Sequence, residues 1–212
     1  MMALQLKRLI SLLLIFLALF AIVSQTQAKP RDKDRWNKKY NTEKFIFGER
    51  PTRFIAENFR LLRKGKVLDL AMGEGRNGVF LATRGFDVLG MDISDKGLDK
   101  ARKLAEANGV TIHTEVVDLE NTQLQQDAFD SIICTYYLQR DLFEQMKKAV
   151  KPGGRILVET YNVDYLNYSR FPRKYLLETN ELLETFKDFK IIRYEAYDDG
   201  EEAYSAIIAE RP

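Results

Sequence analysis

The sequence predicts an α/β fold in which a mostly parallel sheet is covered by helices on both faces. Short, nearly continuous apolar runs alternate with helical segments between residues 67 and 159. Such runs are typical of strands that are buried on both sides, as in parallel sheets. With 45% hydrophobic residues the chain can form a sizeable core, while one cysteine and one histidine exclude a disulfide framework and make a zinc cluster implausible.

The first half of the domain contains two predicted strand–helix pairs. Val67–Leu70 is a short apolar strand, and a glycine turn separates it from a helix at about Arg76–Arg84. Phe86–Met91 is the second strand. Ser94 then has the residue type of a helix N-cap, because its hydroxyl can accept from the free N–H groups of a first turn, and that helix runs to Asn108.

Three more strands follow in the middle of the chain. Val110–Val117 alternates as a third strand, and Phe129–Thr135 is apolar nearly throughout as a fourth. A helix at about Leu142–Val150 ends at the Lys-Pro-Gly-Gly turn 151–154, since proline and glycine disfavour helix continuation. Arg155–Glu159 is the fifth strand.

The C-terminal part predicts one helix and a hairpin. Asn180–Phe186 is helical, and the strands Phe189–Tyr197 and Ala203–Glu210 are joined by an Asp-Asp-Gly turn whose composition suits a hairpin. Ligands of such sheets bind beyond the carboxyl ends of the strands, near the switch point. The residues that end strands one to four are therefore the candidates for a site.

The N-terminal 28 residues have the features of a targeting segment. Leu9–Val23 is an uncharged run that follows Lys7 and Arg8, and small residues precede a suitable cleavage point after Ala28. The run is shorter than the roughly 17–25 residues of a spanning helix, which favours a secretory signal peptide. An excess of basic residues after the run leaves open an uncleaved anchor with a cytosolic domain. We therefore expect export or membrane tethering.

Charge divides the remaining chain into two parts. Residues 29–50 form a basic lead-in of net charge +4, which we predict to be solvated. If the leader is retained as an anchor, residues 9–23 would contact the membrane and the lead-in would lie against anionic lipid. Residues 51–212 carry a net charge of −4, although the whole chain is +2. An acidic domain disfavours nucleic acid as a partner.

A glycine-rich turn follows the first strand. Gly73, Gly75 and Gly78 form a literal G-x-G-x-x-G. This pattern requires only a tight turn, close backbone approach to a ligand and a helix N-terminus that favours anionic groups. By itself it leaves an NAD(P)-dependent oxidoreductase open.

An acid at each of three successive strand ends sharpens the interpretation. Asp69 lies inside the end of strand one, where a dinucleotide-binding fold normally stays apolar. Asp92 ends strand two, at the place for holding ribose hydroxyls, and Asp118 ends strand three, where it could accept from an adenine amino group. Acids at three successive strand ends are hard to attribute to solvent exposure alone.

With these residues the sequence resembles the class I S-adenosylmethionine-dependent methyltransferases. The matching stretches are VLDLAMGEGRNG (67–78), VLGMDIS (88–94), VVDLE (116–120), FDSIICTYYL (129–138) and KPGGRILVETY (151–161). The surroundings look most like the tellurite-resistance and thiopurine-type small-molecule branch. The resemblance implies one Rossmann-like, doubly wound domain over residues 51–212. Its seven-stranded, mostly parallel sheet would have an antiparallel last strand.

The resemblance also implies the cofactor S-adenosyl-L-methionine and its contacts. The loop after strand one would approach the methionine part, Asp92 would hold the ribose, Ile93 would pack on the adenine, and Asp118 with Leu119 would read its edge. Ala71 and Met72 depart from the usual glycine and small residue. The implied cofactor-binding residues are Asp69, Ala71, Met72, Gly73, Gly75, Asp92, Ile93, Asp118, Leu119 and Thr135.

The expected reaction is in-line transfer of the methyl group to a small-molecule acceptor. We expect no metal, and the sequence identifies no residue as a general base. Catalytic candidates are Tyr136, Tyr137, Arg140 and Tyr161. Further candidates to shape the acceptor pocket are Tyr40, Arg50 and Tyr165. Besides the oxidoreductase, a catalytically silent S-adenosylmethionine-binding domain stays open as an alternative.

Overall fold

The computed structural model describes residues 30–212, in which seven strands form one sheet. In chain order they are β1 (Lys66–Leu70), β2 (Asp87–Asp92), β3 (His113–Val116), β4 (Phe129–Thr135), β5 (Val150–Tyr161), β6 (Lys190–Asp198) and β7 (Ala203–Glu210). The spatial order is β3-β2-β1-β4-β5-β7-β6. Neighbours from β3 to β5 pair in parallel, and β7 is antiparallel to both β5 and β6. The predicted sheet, including its antiparallel last strand, is confirmed.

Helices cover both faces of this sheet. They are α1 (Pro30–Tyr40), α2 (Arg53–Asn58), α3 (Arg76–Thr83), α4 (Asp95–Ala107), α5 (Arg140–Ala149) and α6 (Glu181–Thr185). Apolar residues of α2, α3 and α4 share one buried cluster, and those of α5 and α6 share the other. Successive residues of β1 divide between the two clusters, Val67 in the first and Leu68 in the second, because side chains alternate along a strand.

The structure confirms the predicted N-cap and hairpin. The Ser94 hydroxyl accepts from the Gly97 N–H at 3.0 Å. In the hairpin turn, the Asp198 carboxylate accepts from the Gly200 N–H at 3.0 Å, and that of Asp199 accepts from the next two amides. The short polar side chains therefore satisfy the turn backbone between β6 and β7.

Two predicted boundaries differ from the structure. The third strand is four residues long rather than the expected 110–117. The Lys-Pro-Gly-Gly segment ends α5 as predicted, but it is part of β5 rather than a turn before it. The reason is backbone pairing with the chain terminus, since Gly153 N–H donates to the Arg211 carbonyl and Arg211 N–H donates to that of Gly154.

The basic side chains of the lead-in are solvated as expected, since Arg35, Lys38 and Lys39 are exposed, but the segment also packs on the domain, which the sequence did not predict. Residues 30–40 form α1, whose Asn37 side chain donates to Asp95 at 2.9 Å and accepts from the Ser94 hydroxyl at 2.6 Å. Tyr40 at its end is buried. The lead-in therefore packs on the start of α4, next to the carboxyl end of β2.

The predicted targeting segment, residues 1–28, lies outside the described residues. Among residues 30–212, no helix is long and apolar enough to cross a membrane.

Candidate functional site at the carboxyl edge of the sheet

The turn between β1 and α3 has a backbone that favours glycine. Ala71, Gly73 and Gly75 all have positive φ, at 54°, 58° and 86°. Met72 anchors the turn through its backbone, donating its N–H to the Met91 carbonyl at 3.0 Å and accepting from the Gly75 N–H at 3.1 Å. The turn is thereby fixed against β2, and α3 begins directly after Gly75.

The positive φ of Ala71 explains why glycine would be the usual residue at this position. An L-residue in the left-handed region costs about 1–2 kcal/mol, whereas the greater entropy of glycine in the unfolded chain offsets about 0.4–1 kcal/mol of any relief. We expect Ala71→Gly to raise the unfolding free energy in urea by about 0–1.6 kcal/mol, the difference between these two effects. Ala56→Gly, on the exposed side of α2, is the control and should lose about 1 kcal/mol. Equal losses would contradict the strain at Ala71.

Met72 turns its side chain into the core. A Cβ atom on Gly90 would lie 2.0 Å from its sulfur, and one on Gly78 would lie 2.4 Å from its terminal methyl. Two glycines therefore make room for a residue that is larger than usual at this point of the loop. The side chain of Met72 is buried, so its backbone is what it offers to a ligand above the turn.

Asp92, at the end of β2, organises this turn. One carboxylate oxygen accepts from the Gly73 N–H at 2.8 Å and the other from the Ser94 N–H at 2.8 Å. The residue is buried, and burial raises the pKa of its carboxyl although these amide donors oppose the shift. A carboxylate has about four acceptor positions, so Asp92 retains acceptor capacity beyond these amide donors.

Asp69 lies beneath the same turn and is fully enclosed. Its Oδ2 has no hydrogen-bond partner among the described residues. Burial raises the pKa of Asp69 to about 8, with the nearby Asp92 carboxylate adding to the shift and the Gly78 N–H opposing it. A buried polar atom without a partner requires a functional or structural explanation.

The third acid of the series is engaged locally. Asp118 accepts from the Glu120 N–H at 3.0 Å and from the Asn121 side chain at 2.6 Å, which caps a short helical turn at 119–121. Leu119 is buried and Ile93 is half-buried. Because β3, β2, β1 and β4 are parallel neighbours, the three acids and Thr135 lie along one edge of the sheet.

The lead-in covers the glycine turn from above. A Cβ atom on Gly73 would lie 2.7 Å from the Tyr40 hydroxyl, so this ring lies directly on the loop. Burial, with the charges of Asp92 and Glu74, raises the pKa of Tyr40, which keeps the phenol protonated.

A buried ion pair holds the rest of the lead-in in place. The Glu74 carboxylate accepts from the N–H groups of Ile46 and Phe47 at 3.2 and 3.1 Å, and Lys100 donates to it at 2.7 Å. Lys100 also donates to the Lys44 carbonyl at 2.6 Å. The two charged side chains are 1% and 9% exposed. They fasten segment 42–47 to the turn and to α4.

A cavity of about 800 Å³ opens beside the turn, towards the carboxyl end of β5. Its lining includes Arg50, Thr52, Arg53, Arg76, Tyr136, Glu159, Glu202 and Tyr204. Of the residues that the sequence nominated for catalysis or for the acceptor pocket, Arg50 and Tyr136 are in this lining. The cavity therefore places part of the lead-in opposite the end of β4.

A buried hydrogen-bond network forms one wall of this cavity. The Asn77 side chain donates to the Thr135 hydroxyl at 2.8 Å and accepts from the Thr52 N–H at 2.9 Å. The Thr52 hydroxyl donates to Glu159 at 2.5 Å. The network links α3, the start of α2 and the ends of β4 and β5, so it fixes the relative positions of four elements around the cavity.

A cluster of aromatic rings lies beside the cavity, and one of them, Tyr136, is in its lining. Tyr136, with a positive φ of 54°, packs edge-on against Tyr161 with ring centroids 4.9 Å apart. Tyr161 stacks on Tyr165 at 4.2 Å. The Arg76 guanidinium lies 5.5 Å from the centre of the Tyr136 ring. The predicted aromatic candidates Tyr136, Tyr161 and Tyr165 are thus brought together.

Tyr137 and Arg140 lie in a different environment. The Tyr137 hydroxyl donates to Gln139 at 2.6 Å and its ring packs on the α5 side of the core. Arg140 makes a two-pronged ion pair with Glu181 and donates to the Leu176 carbonyl at 2.9 Å. These contacts tie α5 to the segment before α6 and account for Arg140 structurally.

Four residues that sequence reasoning did not nominate are central to the site: Thr52, Glu74, Asn77 and Glu159. Glu74 was visible as an acid within the glycine turn, and Glu159 as an acid in an otherwise apolar strand. Thr52 and Asn77 carry no comparable signal, because their partners are 107 and 58 positions away in the chain.

Comparison with known proteins places these features in context. A family model described as tellurite resistance protein TehB matches residues 29–203. A probable S-adenosyl-L-methionine-dependent methyltransferase TehB of Haemophilus influenzae is 27% identical over 172 residues, which cover 77% of this chain and 57% of that protein. A ubiquinone biosynthesis O-methyltransferase of Idiomarina loihiensis is 34% identical over 103 residues, covering 46% of this chain and 42% of that protein.

Solved structures show the same fold. The crystal structure of TehB from Haemophilus influenzae has a TM-score of 0.65 at 24% identity, covering 85% of this chain and 67% of that one. An S-adenosylmethionine-dependent methyltransferase from Mesorhizobium loti has a TM-score of 0.62 at 21% identity, covering 76% and 98%. This chain spans little more than half the length of the TehB relative that it matches in sequence.

Proposed function

The chain belongs to the TehB tellurite-resistance family, and from this we propose that it is a methyltransferase that transfers the methyl group of S-adenosylmethionine to a small-molecule acceptor. The support comes from the carboxyl edge of the sheet and the cavity beside it. The cofactor would lie over the glycine turn and the acceptor in the cavity.

The observation that carries the proposal is the pair of buried carboxylates at the turn. Asp69 and Asp92 are 2% and 6% exposed, and the pKa of each is raised by burial. A ligand that brings positive charge next to them would stabilise their ionised forms, because an opposite charge favours ionisation. S-adenosylmethionine carries such charge on its sulfonium and amino groups. The residues of this edge therefore fit the cofactor.

The same observation disfavours an oxidoreductase. The pyrophosphate of a dinucleotide would bring negative charge to the helix N-terminus after the turn, close to two buried carboxylates. The sheet also differs from the dinucleotide-binding order 3-2-1-4-5-6, because the antiparallel β7 is inserted between β5 and β6.

We propose the following roles for the predicted residues. The backbone of Ala71–Gly75 would approach the methionine part, and Asp69 would accept from its amino group or order the loop from beneath. Asp92 would accept from the ribose hydroxyls with its remaining acceptor capacity. Ile93, Asp118 and Leu119 would contact the adenine, and Thr135 with Tyr136, at the end of β4, would lie near the sulfonium.

S-adenosylmethionine supplies a methyl group on a positively charged sulfur, which a nucleophilic acceptor attacks in line. The chain's own contribution is to orient the reactants and to exclude water, and proximity can account for much of the acceleration. The electron-rich face of Tyr136 borders the cavity and would stabilise a nearby cation by about 0.5–2 kcal/mol. Tyr40 and segment 42–47 would close the loop side of the site.

Calorimetry tests the cofactor. We expect binding of S-adenosylmethionine and S-adenosylhomocysteine, and no binding of NADPH. Binding of NADPH without the sulfonium ligand would overturn the proposal. If the cofactor binds, transfer of a labelled methyl group across an acceptor panel tests the silent-domain alternative, which predicts binding without transfer.

Asp92→Ala is expected to weaken the binding of S-adenosylmethionine by about 1–3 kcal/mol, or roughly 5- to 150-fold, because a charged hydrogen-bond partner is lost. Asp87→Ala is the matched control, since Asp87 is exposed at the opposite end of the same strand. Its affinity should stay within twofold. Urea unfolding measured in parallel separates lost contacts from a disturbed turn. Unchanged affinity in Asp92→Ala would show that the ribose role is wrong.

We also propose, from the sequence alone, that residues 1–28 direct export or tether the chain to a membrane. N-terminal sequencing of fractionated cells tests this. A mature start at Lys29 outside the cytosol would support cleavage and export. A retained leader with a protease-protected cytosolic domain would support the anchor, and an uncleaved, freely soluble chain would contradict both.

A further inference from the structure

Glu159 is an acid at the carboxyl end of a central strand, at the same edge as the cofactor residues. In the sheet register it is the neighbour of Thr135 on β4 and of Ala206 on β7. Its carbonyl accepts from the Tyr136 N–H at 2.8 Å. The side chain therefore belongs to the point where the cofactor edge meets the cavity.

The carboxylate is held by a built site rather than by solvent. Glu159 is 1% exposed, yet it lines the cavity. The Thr52 hydroxyl donates to it at 2.5 Å, and the Thr52 backbone is in turn fixed by Asn77. One oxygen of the carboxylate is thus oriented by a buried donor, which defines where the group points.

The charges around Glu159 come from every neighbouring element. They are Arg76 on α3, Arg53 on α2, Glu195 on β6, Tyr136 after β4 and Tyr204 on β7. Burial outweighs the lowering effects of the Thr52 hydrogen bond and of the two arginines, and it raises the pKa of Glu159 to about 7. A carboxylate with a pKa near the working pH is suited to accept a proton.

The cavity lining has no excess of positive charge. Arg50, Arg53 and Arg76 face four acids, namely Glu49, Glu159, Asp199 and Glu202. Of the arginines, Arg53 is already paired with Glu57 and Glu195. An oxyanion would meet the carboxylate of Glu159 and three further acids of the lining, whereas a neutral acceptor with an O–H, N–H or S–H group would find a hydrogen-bond acceptor.

We propose that Glu159 takes the proton from a neutral, protic acceptor, such as a thiol, an alcohol or an amine, as that acceptor is methylated. This inference rests on the proposed function. The new bond joins the acceptor atom to the methyl carbon, and the bond that breaks joins this carbon to sulfur, which keeps the electron pair. The acceptor's proton passes to a carboxylate oxygen of Glu159 and from there to water.

Tyr136 in the cavity lining and Tyr161 packed against it are poor substitutes for this role. Burial, with the charge of Glu159 next, raises the pKa of Tyr136 above its ordinary value, and burial raises that of Tyr161 as well. Both phenols therefore stay protonated near neutral pH. Among the cavity-lining acids, Glu159 is the one that is buried and that also lies at the sheet edge where the cofactor would bind.

Glu159→Gln keeps the shape and an oxygen that can accept from Thr52. Transfer of labelled methyl groups is measured with the full chain on 2-mercaptoethanol, catechol and selenite. In the wild type, kcat for the two protic probes should rise with pH to a plateau, with a midpoint near 7. In Glu159→Gln we expect kcat to fall by about 10²- to 10⁴-fold, with loss of the midpoint and unchanged cofactor affinity. A fall of less than threefold, or wild-type transfer to selenite alone, would overturn the proposal.

Variants of Thr52 test the role of Glu159 through the pH midpoint of kcat, which would not shift if Glu159 had a purely structural role. Thr52→Val removes the donor that stabilises the ionised carboxylate, so the pH midpoint should shift upwards by about one unit. Thr52→Ser keeps the hydroxyl and should keep the midpoint. Equal midpoints in Thr52→Val and the wild type would contradict proton acceptance by Glu159.

A second measurement needs no acceptor. In ¹³C-carboxyl NMR of glutamate-labelled protein, a signal titrating near pH 7 should be present in the wild type and absent in Glu159→Gln. Titration of Glu159 near the ordinary glutamate value of about 4.3 would overturn the proposal. Failure to bind S-adenosylmethionine in calorimetry would instead overturn the proposed function. Binding with full transfer in Glu159→Gln would overturn the role of Glu159 alone.

Discussion

Replacement of Lys100 by methionine is expected to lower the free energy of unfolding by about 3–5 kcal/mol, because it leaves the buried Glu74 carboxylate without its cation. Lys100 donates to Glu74 at 2.7 Å, and Glu74 is 1% exposed. Removing one partner of a buried ion pair leaves an uncompensated charge in a region that water does not reach. Urea unfolding at pH 7 measures the loss.

Lys96→Met, one turn earlier on α4, is the matched control. Lys96 lies 3.9 Å from Asp99, and both side chains are about half exposed. An exposed pair of this kind contributes about 0–1 kcal/mol. A loss in Lys100→Met no larger than that of Lys96→Met would contradict the buried pair.

The double variant Glu74→Gln with Lys100→Met separates charge from packing. If the loss in Lys100→Met comes from the unpaired carboxylate, removal of that charge should recover a large part of it. Hydrogen exchange at segment 42–47 adds a local readout. Because Lys100 also donates to the Lys44 carbonyl, we expect faster exchange there in Lys100→Met.

Gly75→Ala is expected to lower the free energy of unfolding by about 2–5 kcal/mol. Gly75 has a φ of +86°, which costs an L-residue about 1–2 kcal/mol. An added Cβ would also lie 2.6 Å from the Cβ and 2.9 Å from the Cα of Ala101. Since α4 would have to move, overpacking adds about 1–3 kcal/mol. The altered packing of the turn should also weaken cofactor binding in calorimetry.

Gly109→Ala tests the two contributions separately. Gly109 also has a positive φ, of +67°, but an added Cβ would meet nothing within 4 Å. It should therefore lose only the conformational part, about 1–2 kcal/mol. The difference between the two variants in urea unfolding measures the close approach of the turn to α4. Equal losses would mean that α4 adjusts freely.

One rule applied to the sequence located much of the site. An acid at the end of a buried strand is costly without a partner or a ligand, and this rule singles out Asp69, Asp92 and Asp118. The structure places all three along one edge of the sheet. The same rule reaches Glu159 when it is extended to the fifth strand, although the sequence does not tell whether that side chain faces a cavity.

Other site residues depend on contacts between distant parts of the chain. Tyr40 lies on Gly73, and Glu74 pairs with Lys100 and with the backbone of residues 46 and 47. A basic, polar lead-in has no apolar periodicity to indicate that it packs on the domain. Its attachment comes from hydrogen bonds and one buried ion pair, which leave no regular pattern in the sequence.

The sequence by itself determined the strand–helix alternation, the glycine turn and the acids at three strand ends, because each depends on residues that are close along the chain. Only the tertiary structure decided that Asp92 holds the turn, that Met72 fits over Gly90 and that Glu159 lines the cavity. These features depend on which side chains the sheet order and register bring together. Packing and burial then set the protonation of the acids, and neither can be read from local sequence.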